Sequence, residues 1–272
     1  MRGLLFAAAS LAAAPAAAQG LTGDWGGART SLAQSGVSLR GDITGFAMGQ
    51  IAGTGDKVWD ASGRDDAFAD LDFGKMGLVK GLCFHVHAEG RFGEGQSNYG
   101  FQLWPANTGA TLPLGGEGLA ASSLYFTQAL GKRTVLLLGK VNAVDLLALD
   151  PVFGGWGTQR FQNIAFVAPP SGVVPPTIIR SSFILGLAGH GMVKSRPNDS
   201  FGVGGFIYNF SNALQDSAAP LVDFNDEQGV EAWYSFALTP WFKLTGDAQY
   251  VNVARGDADP ALIAGLRANL VF

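Results

Sequence analysis

Five chemically active side chains alternate along one short stretch of the chain: Cys83, His85, His87, Glu89 and Arg91. A spacing of two puts all five on one face of an extended strand. Two imidazoles on one face can share a metal ion, but a site needs further ligands, and His190 is the only other histidine. There is no Gly-x-Ser-x-Gly elbow, no His-Glu-x-x-His pair and no phosphate loop ending in Gly-Lys-Ser/Thr. Asp145 and Asp150 sit in loop or strand-end stretches with no recognisable partner. The chemistry on offer is hydrogen bonding and charge aimed at a solute. No catalytic constellation, metal site or cofactor is expected.

The same alternation recurs along the chain, so these side chains must be positioned by strands. Arg40 and Asp42 oppose Val37, Leu39, Gly41, Ile43 and Gly45 within Val37–Met48. Leu82–Phe92 sets Glu89 and Arg91 against Phe84, Val86, Ala88 and Phe92. Thr134–Asn142 carries Lys140, and Val230–Leu238 carries Glu231, Trp233 and Ser235. Phe242–Val253 carries Lys243 and Asp247, and the last eleven residues carry Arg267. With Ala67–Phe73, Leu119–Leu130, Phe183–Val193 and Phe201–Phe210, about ten strands are expected. Gly131-Lys132 and Arg196-Pro197-Asn198-Asp199 supply turns between them. A short helix is expected over Ala28–Gln34, stopped by Gly36. A loop-rich region from Leu147 to Pro176 includes Gly154, Gly155, Gly157, Pro169, Pro170, Pro175 and Pro176.

Both ends fit export to a membrane. Arg2, the apolar run Leu4–Ala14 and the small residues Ala16–Ala18 have the order of a secretory signal peptide, which predicts a signal at 1–18 and one mature domain over 19–272. No later apolar run reaches the roughly 18 residues that a spanning helix requires. In the last eleven residues Leu262, Ala264, Leu266, Ala268, Leu270 and Phe272 share a face, opposite Gly265, Arg267 and Asn269. A chain that stops on an aromatic in such a strand resembles the closing strand of a bacterial outer-membrane β-barrel, where the terminal Phe is read by the barrel-assembly machinery.

Composition agrees. The 39 Gly and 19 Phe suit tight turns, curved sheet and interfacial girdles. The 18 basic residues, less Arg2 of the signal, leave 17 against 22 acidic ones. That balance argues against a nucleic-acid partner. Cys83 is the sole cysteine, so no intrachain disulfide can form. Trp25, Trp59, Trp104, Trp156 and Trp241 fall in loops or at strand ends, where an interfacial girdle is expected.

Three stretches resemble carbohydrate-selective porins of the OprB type: Gly23-Asp24-Trp25-Gly26-Gly27-Ala28-Arg29; Ser195-Arg196-Pro197-Asn198-Asp199; and Thr239-Pro240-Trp241-Phe242-Lys243-Leu244 with Gly265-Leu266-Arg267. The resemblance implies an all-β, antiparallel transmembrane barrel in a Gram-negative outer membrane. It would pass glucose and other small sugars, work without a cofactor, and be monomeric or homotrimeric. It also implies a structural role for Trp25 and Arg29 near the periplasmic rim. Family barrels have sixteen strands, so ten here imply an internal deletion of about six near Arg180-Ser181-Ser182-Phe183. For such a pathway the inward residues Arg40, Asp42, Glu89, Arg91, Lys140, Glu231, Trp233, Lys243, Asp247 and Arg267 are the candidates. Their mixed signs suit a neutral solute, and Trp233 offers a flat ring. Alternatively the same groups brace the wall as ion pairs, and the shortened barrel is structural or vestigial. An exported soluble β-protein or an outer-membrane enzyme is the third reading, and it lacks catalytic residues.

Overall fold

Side chains that alternate between apolar and polar need a surface that is wet or bonded on one side and oily on the other, and one antiparallel sheet supplies it. In the computed structural model the residues described are 20–94, 99–111, 118–169, 178–219 and 221–272. The signal segment and the proline-rich stretch 170–177 therefore lie outside them. Ten strands are present: β1 (Val37–Ala52), β2 (Trp59–Asp72), β3 (Leu82–Glu94), β4 (Ala120–Ala129), β5 (Val135–Lys140), β6 (Ile179–His190), β7 (Ser200–Phe210), β8 (Glu227–Thr239), β9 (Phe242–Asn252) and β10 (Ala261–Val271). They form one all-antiparallel sheet in the order β5-β4-β3-β2-β1-β10-β9-β8-β7-β6. The first and last strands pair at its centre, with Asp42 opposite Val271 and Gly45 opposite Ala268. Among the described residues no ladder joins β5 to β6, which are the two edges of the wall.

The connections are unequal. At the end holding Gly20 and Phe272, strands are joined by short turns such as Pro240-Trp241. At the opposite end β3 runs to β4 and β5 runs to β6 through long segments. Short turns on one side and long loops on the other are the habit of outer-membrane barrels. No helix of the described residues is long and apolar enough to cross a membrane.

The outer face is apolar and bare: Leu39, Ile43, Phe92, Leu124, Phe126, Leu138, Phe183, Leu185, Val203, Val230, Leu244 and Leu266 are all exposed. The inner face is covered by the chain itself. Residues 99–111, ending in α2 (Thr108–Thr111), and residues 141–169, with α3 (Ala143–Leu147) and α4 (Ile164–Val167), pack against it. The helices α3 and α4 start where the side chains of Asn142 and Asn163 accept the N–H of Val144 and Ala165. The two segments bond to each other, Thr108 N–H to Gln162 O at 2.8 Å and Ile164 N–H to Pro105 O at 2.9 Å. Phe161, Phe166, Phe206, Tyr208, Phe210 and Trp233 form the core between segment and wall. Glycines on β7 let the rings approach: a Cβ on Gly202 would lie 2.5 Å from the Trp233 indole, and one on Gly204 within 3.0 Å of both Phe161 and Phe166.

Outside the wall α1 (Ala28–Gln34) lies at the terminal rim, and α5 (Asn212–Ala218) sits in the β7–β8 connection. Arg29 is buried and donates to Leu39 O at 2.9 Å and Phe272 O at 2.6 Å, while Phe272 N–H reaches Gly41 O. The opening segment is thus pinned to the β1–β10 seam.

If the bare outer face meets lipid, an arginine at its middle is penalised by its hydration alone. Leu266→Arg is expected to lower the folding free energy in phospholipid vesicles by roughly 2–4 kcal/mol. Urea titration read by Trp fluorescence checks this, and an unchanged midpoint would contradict a lipid-facing outer surface.

Candidate functional site

The inner polar groups form two clusters, one at each flank of the β1–β10 seam. The first spans β2, β3 and the second inner segment. The register sets Asp66 opposite Glu89, Phe68 opposite His87 and Arg64 opposite Arg91, so these inner side chains form one patch. Arg64 grips Asp66 with Nε and Nη2, the latter at 2.6 Å, and also donates to Glu89. His87 lies between two carboxylates, Nε2 to Asp66 and Nδ1 to Asp145, both at 2.8 Å. Asp145, on α3, also accepts from Ser123 Oγ at 2.5 Å and Trp156 Nε1 at 2.8 Å. The Asn142 amide adds a bond to Glu89 at 3.1 Å. Beside them Arg40 pairs with Asp42 at 3.3 Å and lies 3.8 Å over the Phe68 ring, which stacks on His87.

The second cluster spans β8, β9 and β10. Glu231 accepts the N–H of Gln162 at 2.6 Å and of Asn163 at 3.0 Å. Four residues earlier on the same face, Glu227 accepts from Leu103, Trp104 and Ala254 at 2.8, 3.1 and 3.2 Å. Gln249 bridges Ala106 O and Asp247, each at 2.9 Å, and accepts from the Asn163 amide. Arg267 donates to Gly157 O at 2.9 Å and Arg160 O at 2.8 Å. In both clusters wall side chains bond the backbone or side chains of the inner segments.

The ten residues expected on the pathway are therefore distributed as follows. Glu89, Glu231, Trp233, Asp247 and Arg267 face inward but are buried, between 1% and 6% exposed. Arg91 holds α2 through Ala110 O at 2.9 Å. Asp42 is inward and buried, whereas Arg40 and Lys243 are inward on the terminal side and remain exposed. Lys140 is corrected: β5 pairs it with Leu124 and pairs Leu138 with Phe126, so Lys140 is on the outer face, at the end of an edge strand. Its alternation was ambiguous because Leu136, Leu137 and Leu138 are consecutive apolar residues.

Sequence reading missed Arg64 and Asp66, because Trp59-Asp60-Ala61-Ser62-Gly63-Arg64-Asp65-Asp66 has too little apolar character to read as strand. The strand forms because its inward charges find one another across the register. Asp145 is not isolated. Burial pushes its carboxyl up, but the bonds from His87 and Ser123 outweigh that and hold it below the usual carboxylate range. His85 does not share a ligand with His87; its nitrogens meet Asp70 and Thr127. The donor atoms of Asp66, His87 and Glu89 do converge within 4.8 Å. The Arg64 guanidinium already bonds both carboxylates, so a cation occupies that position as a side chain.

An all-antiparallel wall with a bare apolar outside, short turns at one end and inward-folded long segments at the other has the architecture of an outer-membrane porin. Residues 176–272 match the model of the carbohydrate-selective porin, OprB family. The high-pH structure of Pseudomonas putida OprB superposes with a TM-score of 0.76 at 16% identity, covering 94% of this chain and 99% of that one. Its low-pH structure gives 0.54 at 14% identity, over 93% and 98%. At these identities the structures show a shared fold. No curated protein sequence matches this chain.

Removing the Glu231 acceptor strands two buried N–H groups, at about 1–3 kcal/mol each. Glu231→Ala is therefore expected to free residues 157–167 to protease while the wall stays folded; equal protease resistance would contradict the tether. Asp145 has a lowered folded value, so its contribution is complete above its ordinary pKa of 3.8 and is lost as pH falls through the folded value. Quenching of Trp156 against pH should show this loss in the parent protein and a flatter curve in Asp145→Asn.

Proposed function

We propose that the protein is a non-enzymatic outer-membrane porin that lets glucose and other small sugars diffuse passively across a Gram-negative outer membrane. The observation that carries this reading is the match of residues 176–272 to the carbohydrate-selective porin model, on a chain with the OprB fold. Solute would leave through the terminal side, where Arg40 and Lys243 stay exposed on the inner face with the Phe68 ring beside Arg40. Cationic donors serve sugar hydroxyls, and rings serve their C–H faces. Residues 1–18 would be removed as a signal, leaving 19–272 as one barrel domain. Phe272 would present the C-terminal strand to the barrel-assembly machinery.

A second reading is favoured by a specific observation: the inner face is filled. Phe161 and Phe166 are fully buried against β7 and β8, and Glu89, Asp247 and Arg267 are spent on internal bonds. A wall plugged in this way would be a structural or vestigial barrel that conducts nothing. Single-channel recording of the heat-modifiable protein in a planar bilayer separates the two. Discrete conductance steps that shorten or shrink with added glucose are expected for the porin, whereas a silent bilayer would favour the plugged barrel.

A further inference from the structure

Among the described residues β5 and β6 have no ladder on their outer edges, and in lipid every backbone N–H and C=O must be bonded, so open sheet edges do not persist. A ladder between β5 and β6 of one copy would have to close around the inner segments. Segment 141–169 crosses the inner face from α3, held by His87 and Ser123 of β3 and β4, to Phe161 and Phe166, packed on β7 and β8. Phe153 reaches the inner side of β6, where a Cβ on Gly186 would lie 2.5 Å from it. Eight strands close around side chains alone. Ten strands here surround two backbone segments as well, more than side chains alone, which disfavours closure within one copy.

We infer that a second copy of this chain covers both edges, β5 of each copy pairing with β6 of the other about a two-fold axis along the membrane normal. The polarity fits. β5 runs away from the end that holds the termini and β6 runs back towards it, so two copies inserted in the same direction meet with these strands antiparallel. The faces fit too. Leu136 and Leu138 on β5, and Phe183, Leu185 and Leu187 on β6, are the bare outer residues next to the seam, with Leu185 82% exposed. Pairing makes their lipid-facing belt continuous. Two such seams close the ring, leaving no edge for a third copy. The joined wall has twice the ten strands of one copy, above the number at which porins keep an aqueous channel. The pairing thus deepens the porin reading, on which it rests for the solute carried; the lumen would be bounded by both copies.

The test uses the full-length chain, exported to membranes with Cys83→Ser to remove the native thiol. Two differently tagged copies are co-expressed, one with Leu138→Cys and one with Leu185→Cys, and then with Leu136→Cys and Leu187→Cys to sample neighbouring registers. A disulfide joining the two tags is expected in at least one combination. The chain bearing both cysteines should give a covalent two-chain species without a ladder of larger ones. Native mass spectrometry of the unsubstituted protein in detergent should report two chains. A one-chain mass with an intrachain link, or a ladder of multimers, would overturn the pairing. Glucose flux is measured on the same samples. A two-chain species that passes no glucose keeps the pairing and removes the porin reading; a folded single chain that passes glucose does the reverse.

Discussion

The bond from Glu231 to two consecutive backbone amides, those of Gln162 and Asn163, sets the arrangement of the rest. A carboxylate on a strand has little reason to be buried unless charge-assisted bonds offset its lost hydration. Here a run of inner chain brings two N–H groups to it. Glu227 repeats the device four residues earlier on the same face for Leu103 and Trp104. The two carboxylates share β8, and each fastens one inner segment to the same strand. Once both segments are fastened they bond to each other through Thr108 and Gln162, and the aromatic core closes over them.

The opposite flank reaches the same result with the opposite balance of groups. There the wall presents a guanidinium and an imidazole among carboxylates, and the inner segment contributes Asp145. Removing one member of such a buried set leaves its partner's charge without compensation, which costs more than the set contributes intact. His87 is central because it bonds to wall and segment at once, through its two nitrogens. The stacked Phe68 ring keeps the imidazole edge-on to both carboxylates. A strand at either flank thus holds the inner chain.

Strand number and facing were legible because the alternation that puts bare apolar side chains on one face is local. An outward leucine or phenylalanine at every second position is required whatever lies inside, so β1, β3, β8, β9 and β10 could be read with their inner residues assigned to the correct side. Legibility failed where that local rule was weak. The first half of β2 is held by Arg64, Asp66 and Glu89, residues distant in sequence, and nothing in Trp59–Asp66 announces the pairing. β5 has leucines at three consecutive positions, which erases the period and misplaced Lys140. The role of the inner carboxylates was the larger miss. Alternation shows which face a side chain occupies, but a strand facing water and a strand facing a folded-in segment have the same pattern. The segment that fills the interior reads only as glycine- and proline-rich loop; its asparagine caps at 142 and 163 are the local signal that turns are nucleated there.

Filling and closure are therefore one problem in this fold. A wall of ten strands around a narrow, empty lumen would need few inner bonds, and a wall of sixteen would hold both inner segments with room for solute. This chain keeps the inner segments and their anchoring carboxylates while presenting ten strands. The anchors on β8 and β10 and those on β2 and β3 lie on either side of the β1–β10 seam, so the inner segments span the middle of the wall. If the segments are released, the edges can approach but Glu227, Glu231 and Arg267 lose their partners inside the wall. Kept in place, they leave the outer edges of β5 and β6 without a ladder among the described residues. The structure takes the second course: its internal bonds are made, and the unmet demand is moved to the edges, where another strand can meet it.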